Sequence, residues 1–175
     1  VIVSFGSVML PRMTNVIAQN DKDGVEQLTS TSIKYMSCVS IAMTFGMAGI
    51  AINFAPIFWG TEFTYSGKLI MLLAITLPFT TLSNIVRNQD LIPNGKDKLY
   101  SLAIVISAAV NLFANWLLIP KYQAVGACIG TIIAEFLVFV IQMLMVNKSI
   151  PYWKYIRNSM VFLIPGLIMF IIVYF

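Results

Sequence analysis

The sequence has no histidine, two cysteines and few charged residues, and each scarcity excludes a class of protein. Without histidine there is no imidazole general base and no histidine-based metal site. Cys38 and Cys128 lie in separate apolar runs, which is not the pattern of a disulfide framework. Charged residues make up 10% of the chain, whereas a soluble domain is about one quarter charged. The chain therefore has too little polar surface for a water-soluble domain, and lipid is predicted to be its main solvent.

Motifs for nucleotide hydrolysis and for common hydrolases are also missing. Gly95-Lys96 is not a P-loop, because Asp97 replaces the Ser or Thr and no glycine precedes it at the required spacing. The basic residues are spread over three loops instead of forming one stripe, so no nucleic-acid partner is predicted. No metal is predicted either, because the sequence has no histidine. The chain is predicted not to be an enzyme. A membrane-embedded polymerase or glycosyltransferase would need a large loop outside the membrane or an acidic catalytic pair outside the membrane, and this sequence has neither.

Long apolar runs alternate with short polar loops, and the basic residues follow that alternation. Of the eleven Lys and Arg, only Lys68 and Lys121 lie elsewhere, which leaves nine in the loops 12–35, 87–98 and 147–158. Positive charge in alternate loops is the pattern that the positive-inside rule produces in multi-pass membrane proteins. The sequence therefore predicts that these three loops are cytoplasmic.

A membrane-spanning helix needs about 20 mainly apolar residues, and this sets the predicted fold class. We predict an all-α, polytopic transmembrane helix bundle, because the apolar runs lack the period-2 alternation of strands. Residues 1–11 and 159–175 are predicted to be parts of two further spans, so the sequence is expected to be a fragment of a longer protein. Four complete spans are predicted, at 36–59, 68–86, 99–119 and 124–146.

Turn and helix-breaking residues add local detail to these spans. Pro78 predicts a kink near the middle of the second complete span. The loop 121–123 is very short, so the third and fourth spans are predicted to form an antiparallel hairpin. Residues 12–35 are expected to be a polar loop, with an amphipathic helix after Asp23-Gly24.

Glu135 is the acidic residue that the sequence places deepest in a span, about 16 Å from either surface at 1.5 Å per residue. A charge there costs roughly 3 kcal/mol or more, so the side chain must face a partner or a cavity. Thr131 lies one turn earlier, and Asn111 and Asn115 lie one turn apart in the preceding span. We expect the hairpin to bring them near Glu135. Two interpretations stay open: a coupling or substrate-cavity site, or hydrogen bonds between helices.

Two further sets of residues have both a structural and a functional interpretation. Gly126, Gly130 and Ala134 form a small-xxx-small stripe that is typical of close helix packing. Arg87 and Arg12 lie at predicted cytoplasmic ends of spans. They are expected either to extend toward lipid headgroups or to contact a diphosphate that enters from the inner leaflet.

Three stretches together resemble polysaccharide flippases of the Wzx type, a branch of the multidrug/oligosaccharidyl-lipid/polysaccharide exporter superfamily. The most specific is the hairpin, NLFANWLLIPKYQAVGACIGTIIAEF at 111–136, where the family's usual Lys-Tyr-Gly turn reads Lys121-Tyr122-Gln123. The others are VMLPRMTN at 8–15, followed by DKDGVEQL, and LIPNGKDK at 91–98.

The resemblance implies a two-lobed bundle in the bacterial cytoplasmic membrane. Residues 1–147 would form most of the C-terminal lobe, and 148–175 a cytoplasmic loop and the start of a trailing span. It implies transport of undecaprenyl-diphosphate-linked oligosaccharide from the inner to the outer leaflet, by alternating access, for capsule or exopolysaccharide synthesis. The expected partners are this lipid-linked oligosaccharide, membrane lipids, the N-terminal lobe and the polysaccharide polymerase machinery.

No cofactor is expected beyond proton or sodium coupling. Two other functions stay open at this point. One is a cation-coupled multidrug exporter of the same superfamily, whose missing lobe should carry acidic residues. The other is a small membrane scaffold protein without transport activity, which should form a stable bundle from these helices alone.

Overall fold

A computed structural model describes residues 2–146 and 150–174, and the predicted all-α polytopic bundle is confirmed. Residues 147–149, the start of the predicted loop 147–158, lie outside the described residues. The remainder of that loop contains a short helix. The helices are α1 (Ile2–Ala18), α2 (Lys22–Trp59), α3 (Thr64–Leu73), α4 (Thr76–Val86), α5 (Asp97–Met145), α6 (Tyr152–Ser159) and α7 (Leu163–Tyr174).

The expected polar loop at 12–35 is wrong, because nearly all of it is helical. Helix α1 continues through Pro11 to Ala18, and α2 begins at Lys22. Asn20 has a left-handed φ of 55°, and the bonds Asn20 N→Ile17 O and Asp21 N→Val16 O complete a Schellman end for α1. The Asp21 side chain then accepts a bond from Gly24 N at 2.9 Å, which caps α2. These local caps need only three residues between the two helices.

The second complete span is a broken helix. Helices α3 and α4 with their flanking turns, Thr61–Leu73 and Thr76–Leu91, meet at an angle of 42°. The break lies at residues 74–75, because Pro78 has no N–H to donate to Ala74 and its ring crowds that carbonyl group. The bend caused by Pro78 therefore lies about one helical turn before Pro78 in the chain.

Helix α5 has 49 residues, which would span about 74 Å if it were straight, far more than the hydrocarbon core. It reverses at Gln123, where φ is 50° and ψ is −128°. A Cβ atom at Gly130 would meet the side chain of Asn115, and Lys96 donates to the Met145 carbonyl oxygen at the other end. The residues 97–122 and 124–145 therefore run antiparallel, as the hairpin prediction requires. We call them the first and second halves of α5.

A cluster of buried hydrophobic residues lies where α2, α4, the second half of α5 and α6 meet. Basic residues also lie at this end of the molecule, so we call it the basic end. Gly95, with φ of 67°, closes the turn before α5 there. The buried hydrophobic core consists of Ile33, Met36, Ile85, Val86, Leu91, Phe139, Met143, Tyr152 and Ile156.

Much of the remaining apolar surface is exposed, as expected for a chain surrounded by lipid. On the first half of α5, Leu112 is 73% exposed and Trp116 is 70% exposed. Within the described residues, three helices are long and apolar enough to cross a membrane, and the broken α3–α4 helix makes a fourth. The length and hydropathy of these helices agree with a multi-pass membrane protein.

Candidate functional site

A π-helical turn, Arg87–Leu91, follows α4 and buries three consecutive polar residues. The bond Ile92 N→Arg87 O, 2.9 Å long, spans five residues and widens the helix here. Asn88 is 4% exposed, and Gln89 and Asp90 are each 1% exposed. Such π turns are rare in proteins, and those that occur are often found at functional sites. The extra residue changes the direction in which the following side chains point.

Asp90 is the centre of a buried polar network at the basic end. Its carboxylate accepts hydrogen bonds from the Tyr152 hydroxyl at 3.3 Å and from Asn94 Nδ2 at 3.2 Å. Lys96 Nζ lies 3.7 Å from Asp90 Oδ1 and also donates to the Met145 carbonyl oxygen at 3.3 Å. The network therefore connects the π turn to α6 and to the C-terminal end of α5, where a cation is favoured by the helix dipole.

The burial of Asp90 was not predicted from the sequence. The residues 87–98 were expected to be a solvent-exposed loop, but helix-like structure continues through Leu91. A readable signal was present, because the apolar pair Leu91-Ile92 follows the polar triplet directly. A helix that continued to that pair would have placed Asp90 inside the bundle.

Arg87 lies on the other side of the same turn, against the first half of α5. Its Nη1 donates to the Tyr100 hydroxyl at 3.0 Å, and the guanidinium carbon lies 5.4 Å from the centre of the Tyr100 ring. Its Nε donates to Asn88 Oδ1 at 3.4 Å, and Asn88 Nδ2 donates to Asn84 Oδ1 at 2.8 Å. A Cβ atom at Gly6 would overlap these two carboxamides, so a larger residue there would displace both side chains.

Glu135 accepts a hydrogen bond from α4. Thr80 Oγ1 lies 3.0 Å from Glu135 Oε2 and 3.0 Å from the Thr76 carbonyl oxygen. Thr76, Thr80, Asn84 and Asn88 are spaced four residues apart. We call these four residues the α4 polar stripe. It leads from Glu135 toward Arg87 at the basic end.

The other predicted site residues have separate environments. Asn115 Nδ2 donates to Asn111 Oδ1 at 2.8 Å, and Asn115 packs against Gly130. Thr131 donates to the Ala127 carbonyl oxygen within its own helix at 3.1 Å. The asparagine pair and Thr131 are therefore part of the hairpin, while the hydrogen bond of Glu135 goes to the other neighbouring helix.

The remaining predicted residues are placed as follows. A Cβ atom at Gly126 would be 2.5 Å from the Leu118 carbonyl oxygen, so the two halves of α5 approach closely at both Gly126 and Gly130. Ala134 is half-buried one turn further on, and Arg12 is exposed on α1. Within residues 2–146 and 150–174, no group of three or more Cys, Asp or Glu could hold a metal ion.

The chain is similar over its whole length, residues 1–175, to a family described as the lipid II flippase MurJ. Among curated proteins, it is 26% identical to the probable low-salt glycan biosynthesis flippase Agl15 of Haloferax volcanii, over 71% of this chain and 26% of that protein. It is 26% identical to the probable lipid II flippase MurJ of Rickettsia prowazekii, over 75% of this chain and 27% of that protein.

It is also 24% identical to the capsular polysaccharide biosynthesis protein CapF of Staphylococcus aureus, over 78% of this chain and 34% of that protein. The chain therefore spans about a quarter to a third of the length of these relatives. No solved structure matches it.

Proposed function

We propose that this chain, which belongs to the lipid II flippase MurJ family, forms part of a flippase for a lipid-linked oligosaccharide. The full protein would move an undecaprenyl-diphosphate-linked glycan from the inner to the outer leaflet by alternating access. The observation that carries this proposal is the family match across residues 1–175 of a multi-pass helix bundle. The polysaccharide or capsule repeat unit is the substrate that we favour, with lipid II as the competing substrate.

The charge distribution supports an orientation with the basic end in the cytoplasm. Arg87, Lys96 and Lys34 lie at this end, as does α6 with Lys154 and Arg157. Positive residues are retained on the cytoplasmic side of multi-pass proteins. In this orientation a diphosphate from the inner leaflet would first meet the basic end, where Arg87 and Arg12 are the candidate contacts.

The α4 polar stripe supports a polar route from that end toward the middle of the bundle. A hydrated glycan cannot cross hydrocarbon without losing its hydrogen bonds to water, so a flippase must offer polar groups between its lobes. From Thr76 to Asn88 the stripe extends over about 18 Å. We propose that this stripe borders the cavity that the C-terminal lobe forms with the N-terminal lobe of the same protein.

We further propose that Glu135 couples transport to a proton or sodium gradient, with Thr131, Asn111 and Asn115 as further polar groups of the same hairpin. The Thr80 hydroxyl has one hydrogen but two acceptors at 3.0 Å, the Glu135 carboxyl and the Thr76 carbonyl. An ionised Glu135 takes the Thr80 hydrogen, whereas a protonated Glu135 can donate its own and leave the Thr80 hydrogen for Thr76. A change of protonation would therefore alter the bond between α5 and α4.

The transport proposal is tested with the full-length protein in proteoliposomes that contain a lipid-linked diphosphate oligosaccharide. A membrane-impermeant glycosidase reports how much glycan has reached the outer leaflet. We expect time-dependent exposure that empty liposomes do not show, and a higher rate for the repeat-unit substrate than for lipid II. Efflux of amphiphilic cations without any glycan exposure would favour the multidrug exporter instead, and no transport of either would favour the scaffold protein.

The coupling proposal is tested in the same vesicles with imposed proton or sodium gradients. Glu135→Gln should remove the dependence of the rate on the gradient, while the exposed acid of Glu62→Gln serves as a matched control. A Glu135→Gln protein whose rate still follows the gradient as the wild type does would disprove the role of Glu135.

A further inference from the structure

A polar cavity lies at the basic end, between α2 and α6, beside the start of α7. Its volume is 390 Å³. Lys34 and Asn158 are exposed at its walls, and the side chains of Val161 and Phe162, just before α7, form its apolar part. The remaining polar groups of the wall are Ser30, Thr31, Tyr155 and Ser159.

A second, apolar cavity continues from the first along the seam between α2 and α7. Its volume is 140 Å³, it shares Phe162 with the polar cavity, and Met169 lies on its α7 side. On α2, Lys34, Cys38 and Ala42 follow one another at four-residue spacing, so they share one face of the helix. The face therefore changes from charged to apolar over about 12 Å.

The level of the polar cavity agrees with the membrane interface. Tyr35 is 59% exposed next to Lys34, and interfacial aromatic side chains mark the boundary of the hydrocarbon core. Cys38 and Ala42 then lie about 6 and 12 Å below Lys34, within the hydrocarbon. A polar cavity at the interface with an apolar extension below it has the shape of a headgroup with its acyl chain.

The charge near the polar cavity is positive. Lys34 lies in its wall, and Lys154 precedes Asn158 by one turn on α6, on the same face. In the part of the chain that the structure describes, no acidic residue lines the polar cavity: Glu26 accepts a hydrogen bond from the hydroxyl of the wall residue Tyr155 but lines a different cleft, with Asp21 and Asp23. An anionic headgroup fits this arrangement better than a zwitterionic or neutral one.

We propose that this seam is a binding site for an anionic phospholipid of the surrounding membrane. Its phosphate accepts bonds from Lys34 Nζ and Asn158 Nδ2, and an acyl chain lies between α2 and α7 along Ala42 and Met169. A free phosphate would leave the apolar cavity empty, which is why we assign a lipid. The site does not depend on the transported substrate, since it concerns lipids that stay in their leaflet.

Native mass spectrometry of the full-length protein tests this site, with phosphatidylglycerol and phosphatidylethanolamine as probes. We expect tighter retention of phosphatidylglycerol. Lys34→Ala should weaken that retention about five-fold, the effect of one basic residue at an anionic surface. Lys98→Ala, at the same end but outside the cavity, should leave it unchanged.

Ala42→Phe tests the acyl-chain part separately, because the larger side chain would fill the apolar cavity. It should reduce retention of both phospholipids, whereas Ala109→Phe, also exposed in a predicted span, should not. Helix content by circular dichroism shows whether each variant folds. Equal retention by Lys34→Ala and Lys98→Ala, or by the two phenylalanine variants, overturns the proposal.

Two further outcomes would assign the seam to another ligand. If glycerol phosphate without acyl chains displaces phosphatidylglycerol at equal concentration, the apolar cavity plays no part and the lipid assignment is wrong. If the lipid-linked diphosphate oligosaccharide displaces it one for one, the seam belongs to the substrate instead. Binding of phosphatidylglycerol in a protein that shows no glycan transport would separate this site from the proposed function.

Discussion

Replacing Asp90 with alanine should destabilise the basic end, because its buried carboxylate connects three elements. Its side chain is 0% exposed, and it accepts bonds from Tyr152 and Asn94 and pairs with Lys96. Removing it takes one acceptor from the buried Tyr152 hydroxyl, which costs about 1–3 kcal/mol. The Lys96 side chain is 31% exposed, so the loss of its partner adds only about 0.5 kcal/mol.

Asn94 keeps a second acceptor, the Asp90 carbonyl oxygen at 2.8 Å, so its contribution to the loss is small. The expected total for Asp90→Ala is therefore about 1.5–3.5 kcal/mol. Asp90→Asn keeps the volume and one acceptor oxygen and should cost about 1 kcal/mol. Lys96→Met should cost less than Asp90→Ala, because the carboxylate that it leaves still accepts bonds from Tyr152 and Asn94.

The measurement is the thermal unfolding of the full-length protein in detergent, followed by tryptophan fluorescence. Because membrane proteins often unfold irreversibly, the ranking of midpoints is compared at one heating rate. We expect the midpoint to fall most for Asp90→Ala and less for Asp90→Asn and Lys96→Met, with Glu62→Ala unchanged as an exposed control. An unaltered midpoint for Asp90→Ala, or a larger loss for Lys96→Met, would refute the reasoning.

Three further predictions follow from single positions. Thr80→Ala should shift the gradient dependence of transport in the same direction as Glu135→Gln, because it removes the hydroxyl that bonds to Glu135 while Glu135→Gln removes the titrating group of the same pair; independent effects in the double variant would contradict this. Gly126→Val should lower the unfolding midpoint by the equivalent of about 1–3 kcal/mol, since its side chain would meet the Leu118 carbonyl group, whereas exposed Ala124→Val should not. Gln123→Gly should raise the midpoint by the equivalent of about 1 kcal/mol, because φ of 50° with ψ of −128° favours glycine; a lower midpoint would show that the turn is not strained.

Apolar run length and the distribution of Lys and Arg were sufficient to predict the fold class. The hairpin of α5 was also predictable, because Pro120 and a three-residue turn separate two apolar runs. What hydropathy could not show was the continuation of helices into polar sequence. Residues 12–18 and 22–35 are helical. Asn20 ends the first helix and Asp21 caps the second, and such capping signals do not depend on hydropathy.

The candidate site was only partly predictable, for a geometric reason. The depth of Glu135 follows from counting residues, but its partner depends on the rotation of the helix. The register that pairs Gly130 with Asn115 places Asn111 level with Ala134, so Asn111 and Glu135 have similar depths. The hydrogen bond of Glu135 nevertheless goes to Thr80 on α4.

Asp90 was missed for a different reason. Its burial depends on the extra residue of the π turn and on Tyr152, which is 62 residues away in the chain. A sequence pattern carries little information about a contact of that range. The local polar triplet at 88–90, followed by apolar residues, was the only available sign.

The most direct test of the central claim is made in cells of the source organism that lack the gene for the full protein. The amount of lipid-linked oligosaccharide accessible from the outer face of the membrane is measured with an impermeant label, before and after the gene is restored. The account predicts that the lipid-linked glycan accumulates, inaccessible to the label, until the gene is restored. Unchanged outer-face labelling in the deletion strain, with no accumulation inside, would contradict the assignment of this chain to a flippase of lipid-linked glycans.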